Sequence, residues 1–308
     1  MKLTIEEMAA LPADAVRAFL PEWIVGHVEA TPEIRTRLLS QLRERVSAGT
    51  DAEMAAMLAA FLAAGRAYTF YRASPFARDV TRIMMGQLVA PVELEGRAHL
   101  DRFLTTGPQR RLIVCNHLSY TDTQVTDCAL VHLGYGALAE RLVAIAGPKV
   151  YTEPWRRMAA IALNTRKTAQ SSAVATEQDT LSARELATVA FDTIADCARL
   201  MDEGWVILLY PEGTRSRTGR LQPFLRAAAR YTTLPGTQIL PLAQTGTERI
   251  YPIDDTRMHS HAVRLAFAEP FNGADHPGKT WSLVEAHRRL AGALPEGYRP
   301  GAEAAALG

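Results

Sequence analysis

Very little in this sequence could build a disulfide framework or a structural metal site. Three cysteines, Cys115, Cys128 and Cys197, stand in 308 residues with no paired spacing. An odd, scattered set of thiols reads as a reduced, intracellular protein without zinc. Charge of one sign is equally scarce: 34 Lys+Arg face 33 Asp+Glu, a net charge of +1. No bulk field exists to draw a nucleic acid, although a local basic pocket is compatible with that balance. No apolar run reaches the ~20 residues that a membrane-spanning helix requires, and the longest, residues 54–65, is closed by Arg66. The opening Met-Lys-Leu-Thr-Ile-Glu-Glu puts two acids where a signal peptide has its apolar core. The expectation is a cytoplasmic protein, at most peripheral to a membrane. A Gly-x-Ser-x-Gly elbow is missing too, which leaves a serine hydrolase unsupported.

What is present is ordinary globular composition, 48% hydrophobic and 22% charged. Residues 1–88 read as a small α-helical bundle. Thr31-Pro32 is a cap followed by a first-turn proline, and Ile34, Leu38, Leu39, Leu42 and Val46 recur at helical spacing. Gly49 ends that helix, Thr50 with Glu53 forms a capping box for the next, and Ser74-Pro75 opens a third. From residue 89 to 308 the pattern becomes α/β. Short apolar runs without alternation (residues 112–115, 142–146, 205–210 and 239–242) read as strands buried on both faces. A helix capped by Ser182 and Glu185 runs to Gly204 before the third of them. The expected fold class is therefore α/β, a mixed or parallel sheet flanked by helices and preceded by the helical bundle. Functional groups should gather at the carboxyl ends of the strands.

Three segments could carry chemistry. Asn116-His117-Leu118-Ser119-Tyr120-Thr121-Asp122 follows the first strand directly. A strand end turning into a helix start can aim Asp122 at one imidazole nitrogen, leaving the other as a base; the plain alternative is an Asp helix cap beside an unrelated histidine. Pro211-Glu212-Gly213-Thr214-Arg215-Ser216-Arg217 follows the third strand, and residues 205–230 hold five arginines against one acid. Arg215 and Arg217 suit bidentate capture of phosphate oxygens, where the alternative is a solvated turn. Arg166-Lys167, taken alone, reads as a surface pair.

Together these segments resemble the glycerolipid acyltransferase family, which includes glycerol-3-phosphate and lysophosphatidic acid acyltransferases. Its Asn-His-x4-Asp block is matched by Asn116, His117 and Asp122, and its Glu-Gly-Thr-Arg-Ser block by residues 212–216 without change. A second block keeps Arg166 but has Ala160, Leu163 and Asn164 in place of Gly, Phe and Ile; an apolar block centred on Pro241 looks like the fourth. The resemblance covers roughly residues 90–270. The helical N-terminal region, the basic pair and the Arg-x-Arg lean toward the soluble, plastid-type glycerol-3-phosphate acyltransferases, while Glu-Gly-Thr-Arg-Ser is more typical of enzymes acylating lysophosphatidic acid.

The resemblance implies an acyl-CoA or acyl carrier protein as co-substrate, no resident cofactor and no metal, and a phosphorylated alcohol, glycerol 3-phosphate first, as acceptor. It implies His117 as general base oriented by Asp122. Arg166, Lys167, Glu212, Gly213, Thr214, Arg215 and Arg217 would form the substrate-binding set, with backbone donors around Gly213 near the oxyanion. Two readings compete. Residues 273–280 satisfy the phosphate-loop pattern Gly-x4-Gly-Lys-Thr, but residues 268–272 separate them from the preceding strand and too little chain follows for a nucleotide-binding core. A catalytically silent lipid-binding protein would have no use for the His117/Asp122 pair.

Overall fold

The computed structural model of the chain describes residues 4–107, 110–169, 181–275, 278–301 and 306–307. Helices come first: α1 (Ile5–Ala9), α2 (Ala13–Gly26), α3 (Pro32–Ala48), α4 (Asp51–Ala63) and α5 (Pro75–Leu88). Their starts are written locally. The Thr31 side chain caps α3 ahead of Pro32, Ser74 caps α5 ahead of Pro75, and Thr50 with Glu53 closes both hydrogen bonds of a capping box on α4. Leu38, Leu42 and Val46 of α3 and Met54, Met57 and Phe61 of α4 belong to one apolar cluster. That cluster continues through α5 into α9 (Pro154–Ile161) and Met258, so the helices share a core with the later chain. Among the described residues no single helix is long and apolar enough to cross a membrane.

Two-residue β1 (Val28–Glu29) pairs with β9 (Met258–His259) apart from the main sheet. The main sheet contains β2 (Phe70–Tyr71), β3 (Val89–Glu95), β4 (Arg110–Cys115), β5 (Leu142–Ala146), β6 (Asn164–Lys167), β7 (Val206–Leu209), β8 (Thr237–Thr245), β10 (His261–Phe267) and β11 (Phe271–Asn272). Its order is β2-β6-β5-β7-β4-β8-β10-β3, with β11 joined to β8. The five central strands from β6 to β8 run parallel, while β2, β10 and β11 are antiparallel to their inner neighbours; the sheet is mixed. Alternate residues of β4 face opposite layers. Leu112 and Val114 pack under α10 (Ala183–Asp202) and α13 (Trp281–Ala293). Ile113 and Cys115 pack under α6 (Arg97–Thr105), α7 (Asp122–His132) and α8 (Gly136–Arg141). Short helices α11 (Ala229–Thr232) and α12 (Thr247–Ile250) complete the connections.

Register places the candidate segments. Val114 of β4 lies beside Leu209 of β7, so His117 and Glu212, each three residues further on, emerge level with one another. Arg166 and Lys167 are within β6, opposite Ile145 and Ala146 of β5, and β5 separates them from β7.

The three cysteines are free thiols, and Cys115 and Cys197 are buried. For the phosphate-loop pattern, His276 and Pro277 lie outside the described residues. The rest leaves antiparallel β11 rather than the carboxyl end of a parallel strand, and a Cβ on Gly273 would sit 2.0 Å from the Thr232 carbonyl oxygen.

Candidate active site

Asp122 opens α7, and its carboxylate turns back over the loop that precedes it. Oδ2 accepts the Leu118 N–H at 2.8 Å, both oxygens accept the Ser119 N–H at 3.1 Å, and Oδ2 lies 2.8 Å from His117 Nδ1. A carboxylate only accepts, so Nδ1 carries the proton of that bond. Nε2 is thereby the lone-pair nitrogen, and it bonds to no described group, while His117 itself lines a cavity. Asp122 is fully buried; the imidazole is partly open. The Tyr210 ring lies 4.6 Å from the His117 ring, and the Tyr210 hydroxyl is 2.9 Å from Thr123 Oγ1. Burial pushes the Tyr210 hydroxyl well above the ordinary tyrosine range.

The loop is locked from two sides. Asn116 continues the β4–β8 ladder with its side chain, donating from Nδ2 to Gln244 O at 2.9 Å and accepting the Gln244 N–H at 2.8 Å. Gln244 Nε2 donates to Asp122 O at 3.1 Å. From the β7 side, Glu212 Oε1 accepts the His117 N–H at 2.6 Å, its Oε2 accepts the Gln222 N–H at 2.8 Å, and the Ser216 N–H donates to His117 O at 2.7 Å. The two motifs are thus one hydrogen-bonded unit. Burial pushes the Glu212 carboxyl up to about 8, and the nearby Asp122 charge adds to this against the pull of the two backbone N–H groups. The Glu212 carboxyl is therefore engaged with backbone on both oxygens.

Gly213 needs its freedom. Its φ is +70°, and a Cβ would stand 2.3 Å from Leu225 Cδ1. Its N–H donates to Tyr210 O at 3.1 Å within the turn, so the donor expected near an oxyanion is engaged there. Thr214, Arg215 and Arg217 line the cavity. The Arg215 guanidinium lies 3.7 Å above the Tyr120 ring, and no described carboxylate pairs with Arg215 or Arg217.

Arg166 and Lys167 are not brought to this cavity. Arg166 is 1% exposed, its Nε is 2.8 Å from Asp196 Oδ2, and another of its nitrogens bonds the Lys167 carbonyl. Lys167 Nζ donates to Gly65 O at 2.8 Å and lies over the Tyr68 ring. Two groups the sequence reading passed over are there instead: Lys149, just after β5, and Arg156 on α9. No motif singles them out; only the fold of residues 147–161 over the strand ends reveals them.

The cavity has a volume of about 670 Å³. His117, Tyr120, Arg215 and Arg217 occupy its polar part, and Met84, Ala144, Ala160, Leu163, Ile194 and Leu209 contribute apolar wall. A base beside unpaired cations, in a cavity whose wall is also apolar, can deprotonate a hydroxyl on an amphiphile that bears an anionic group.

Comparison with known proteins agrees with the motifs. A family model described as acyltransferase matches residues 91–245, just over half of the chain. A chloroplast 1-acyl-sn-glycerol-3-phosphate acyltransferase of Brassica napus is 32% identical over 84 residues, 27% of this chain and 24% of that protein. A similar enzyme of Cocos nucifera is 24% identical over 222 residues, 71% of this chain and 63% of that protein. The matches to the first relatives thus span about a quarter of their length. The crystal structure of the 1-acyl-sn-glycerophosphate acyltransferase of Thermotoga maritima aligns with 89% of this chain and 96% of its own, at 16% identity and a TM-score of 0.47. On the family match across residues 91–245, this chain belongs to the acyltransferase family, the glycerolipid family that its motifs resemble.

Proposed function

We propose that this protein transfers a fatty acyl group from a thioester to the free hydroxyl of a glycerol 3-phosphate headgroup. The observation that carries the reading is the His117–Asp122 pair, with Nδ1 committed to the carboxylate and His117 lining a cavity that holds unpaired arginines and an apolar recess. Nε2 takes the proton of the acceptor hydroxyl as its oxygen attacks the thioester carbonyl. The tetrahedral intermediate collapses, the C–S bond breaks, and the imidazolium returns its proton to the leaving thiolate. Asp122 holds the ring's tautomer and stabilises the imidazolium. Such base catalysis contributes typically about 10²–10⁴-fold. Arg215 and Arg217 hold the acceptor phosphate, fixing the hydroxyl against the thioester. The side chains supply the base and the cations, so the reading invokes no resident cofactor; acyl-CoA or acyl carrier protein is the co-substrate.

We take 1-acylglycerol 3-phosphate as the acceptor, because the relatives from Brassica napus and Cocos nucifera carry that name and an apolar recess adjoins the arginines. Glycerol 3-phosphate is the second reading, favoured by the N-terminal helices and the Arg215-x-Arg217 pattern of the plastid-type enzymes. A panel offering both acceptors with one acyl-CoA, read by mass spectrometry of products, decides between them. Preferred formation of lysophosphatidic acid from glycerol 3-phosphate would overturn the first choice. We further place the protein in the cytoplasm, at most peripheral to a membrane; its free thiols suit a reducing compartment.

A further inference from the structure

We propose that Arg156, a residue outside every motif, is a third guanidinium of the acceptor-phosphate clamp, acting with Arg215 and Arg217 beside the Tyr120 ring. The proposal rests on the reading of the acceptor as a phosphate monoester.

Residues 156 and 157 are adjacent arginines with opposite fates. Arg157 turns into the protein, where Nε donates to Tyr151 O at 2.8 Å and Nη1 to Phe61 O at 3.1 Å, fastening α9 to α4. Arg156 lines the cavity. Its guanidinium lies 5.1 Å from the centre of the Tyr120 ring, which also carries Arg215 at 3.7 Å. Two cations therefore converge on one aromatic ring that sits between His117 and Asp122 in the chain. Like charges repel, and an anion shared by both guanidinium groups relieves that repulsion.

The partners available to Arg156 do not neutralise that arrangement. Glu153 Oε1 approaches Nη2 at 2.7 Å, but Glu153 is 61% exposed and one helical turn away, so the pair is partly screened and competes for Nη2 without replacing a bound anion. Thr152 Oγ1 offers only a 3.5 Å contact to the same Nη2. Nε is buried and has no hydrogen-bond partner among the described residues. A buried charged donor without an acceptor is costly, and an oxyanion with several lone pairs answers it. A phosphate monoester seated among Arg156, Arg215 and the neighbouring Arg217 would receive planar, charge-assisted donors from more than one direction. Tyr251 lines the same cavity; burial pushes its hydroxyl up, and the Arg156 and Arg215 charges act against that.

The test has a binding arm and a kinetic arm. Isothermal titration with glycerol 3-phosphate and, separately, inorganic phosphate reads the clamp without any acyl transfer. Arg156→Ala should weaken glycerol 3-phosphate binding at least ~10-fold, Arg156→Lys should recover part of it, and Glu153→Gln, which removes the competing carboxylate, should tighten it. The last variant covers the case in which Arg156→Ala fails to fold. In steady state Arg156→Ala should raise the acceptor KM by a similar factor and leave the thioester KM unchanged. Equal binding by the wild type and Arg156→Ala, no binding by the wild type, no gain in Glu153→Gln, or a rise confined to the thioester KM would each overturn the proposal. Phosphate binding that depends on Arg156 in a protein that transfers no acyl group would uphold the clamp and refute the acyltransferase reading separately.

Discussion

Glu212→Gln probes the joint between the two motifs. Glu212 is 4% exposed and its carboxyl is pushed up from 4.5 to about 8, chiefly by burial. An acid with a raised value binds its proton more firmly in the folded state than in the unfolded chain. Between about pH 4.5 and about pH 8 the native state therefore holds more protons, and stability falls as pH rises through that window. At about 1.4 kcal/mol per pH unit, the interval sets a ceiling of about 5 kcal/mol. A glutamine cannot titrate, so the variant should lose this slope. It should also leave one of the His117 and Gln222 N–H groups facing an NH₂ instead of an oxygen, a loss of roughly 1–3 kcal/mol. Urea unfolding of both proteins at pH 5, 6, 7 and 8 is the assay. The wild type should weaken by roughly 2–4 kcal/mol from pH 5 to pH 8 relative to the variant, the two curves converging as pH rises. Parallel curves for the two proteins would refute the assignment of Glu212 as a buried, proton-holding joint.

Replacing Arg215 or Arg217 by Ala should raise the acceptor KM at least ~10-fold with little change in the thioester KM, with Arg220→Ala as the neutral comparison; unchanged acceptor kinetics in both would remove the phosphate from the site. Arg217→Lys should also lose activity, since an ammonium does not reproduce the guanidinium fork. Gly213→Ala should destabilise by roughly 1–2 kcal/mol from the left-handed backbone alone, more from the clash with Leu225, read as a lower denaturant midpoint. For the cellular location, the native protein should be released from broken cells by buffer or a high-salt wash; recovery only with detergent would contradict that placement.

The parts of the fold that the sequence disclosed are those where one physical demand dominates. Residues 112–115 and 205–210 are apolar because both faces of β4 and β7 are covered, and capping residues at Thr31, Thr50, Ser74 and Ser182 mark helix starts because orphan N–H groups need acceptors nearby. β6 was illegible for the opposite reason. Asn-Thr-Arg-Lys carries no apolar signature, yet all four residues are buried, their polar groups satisfied by partners remote in sequence such as Glu140, Leu142, Asp196 and Gly65. The same remoteness made Arg166 and Lys167 look available to a phosphate. In α2, Pro21 lies inside the helix and hides it from pattern reading. His117 and Asp122 could be paired from sequence because the four residues between them suffice to join them. Arg156 could not, since its place beside Tyr120 depends on how α9 crosses the strand ends.

The central claim is tested most directly by incubating the purified protein with palmitoyl-CoA and 1-acylglycerol 3-phosphate, and following phosphatidic acid by mass spectrometry for the wild type, His117→Ala and Asp122→Asn. The account predicts product from the wild type, a loss of at least ~10²-fold in His117→Ala with folding retained, and a severe but smaller loss in Asp122→Asn. Near-normal product formation by a folded His117→Ala protein would contradict it.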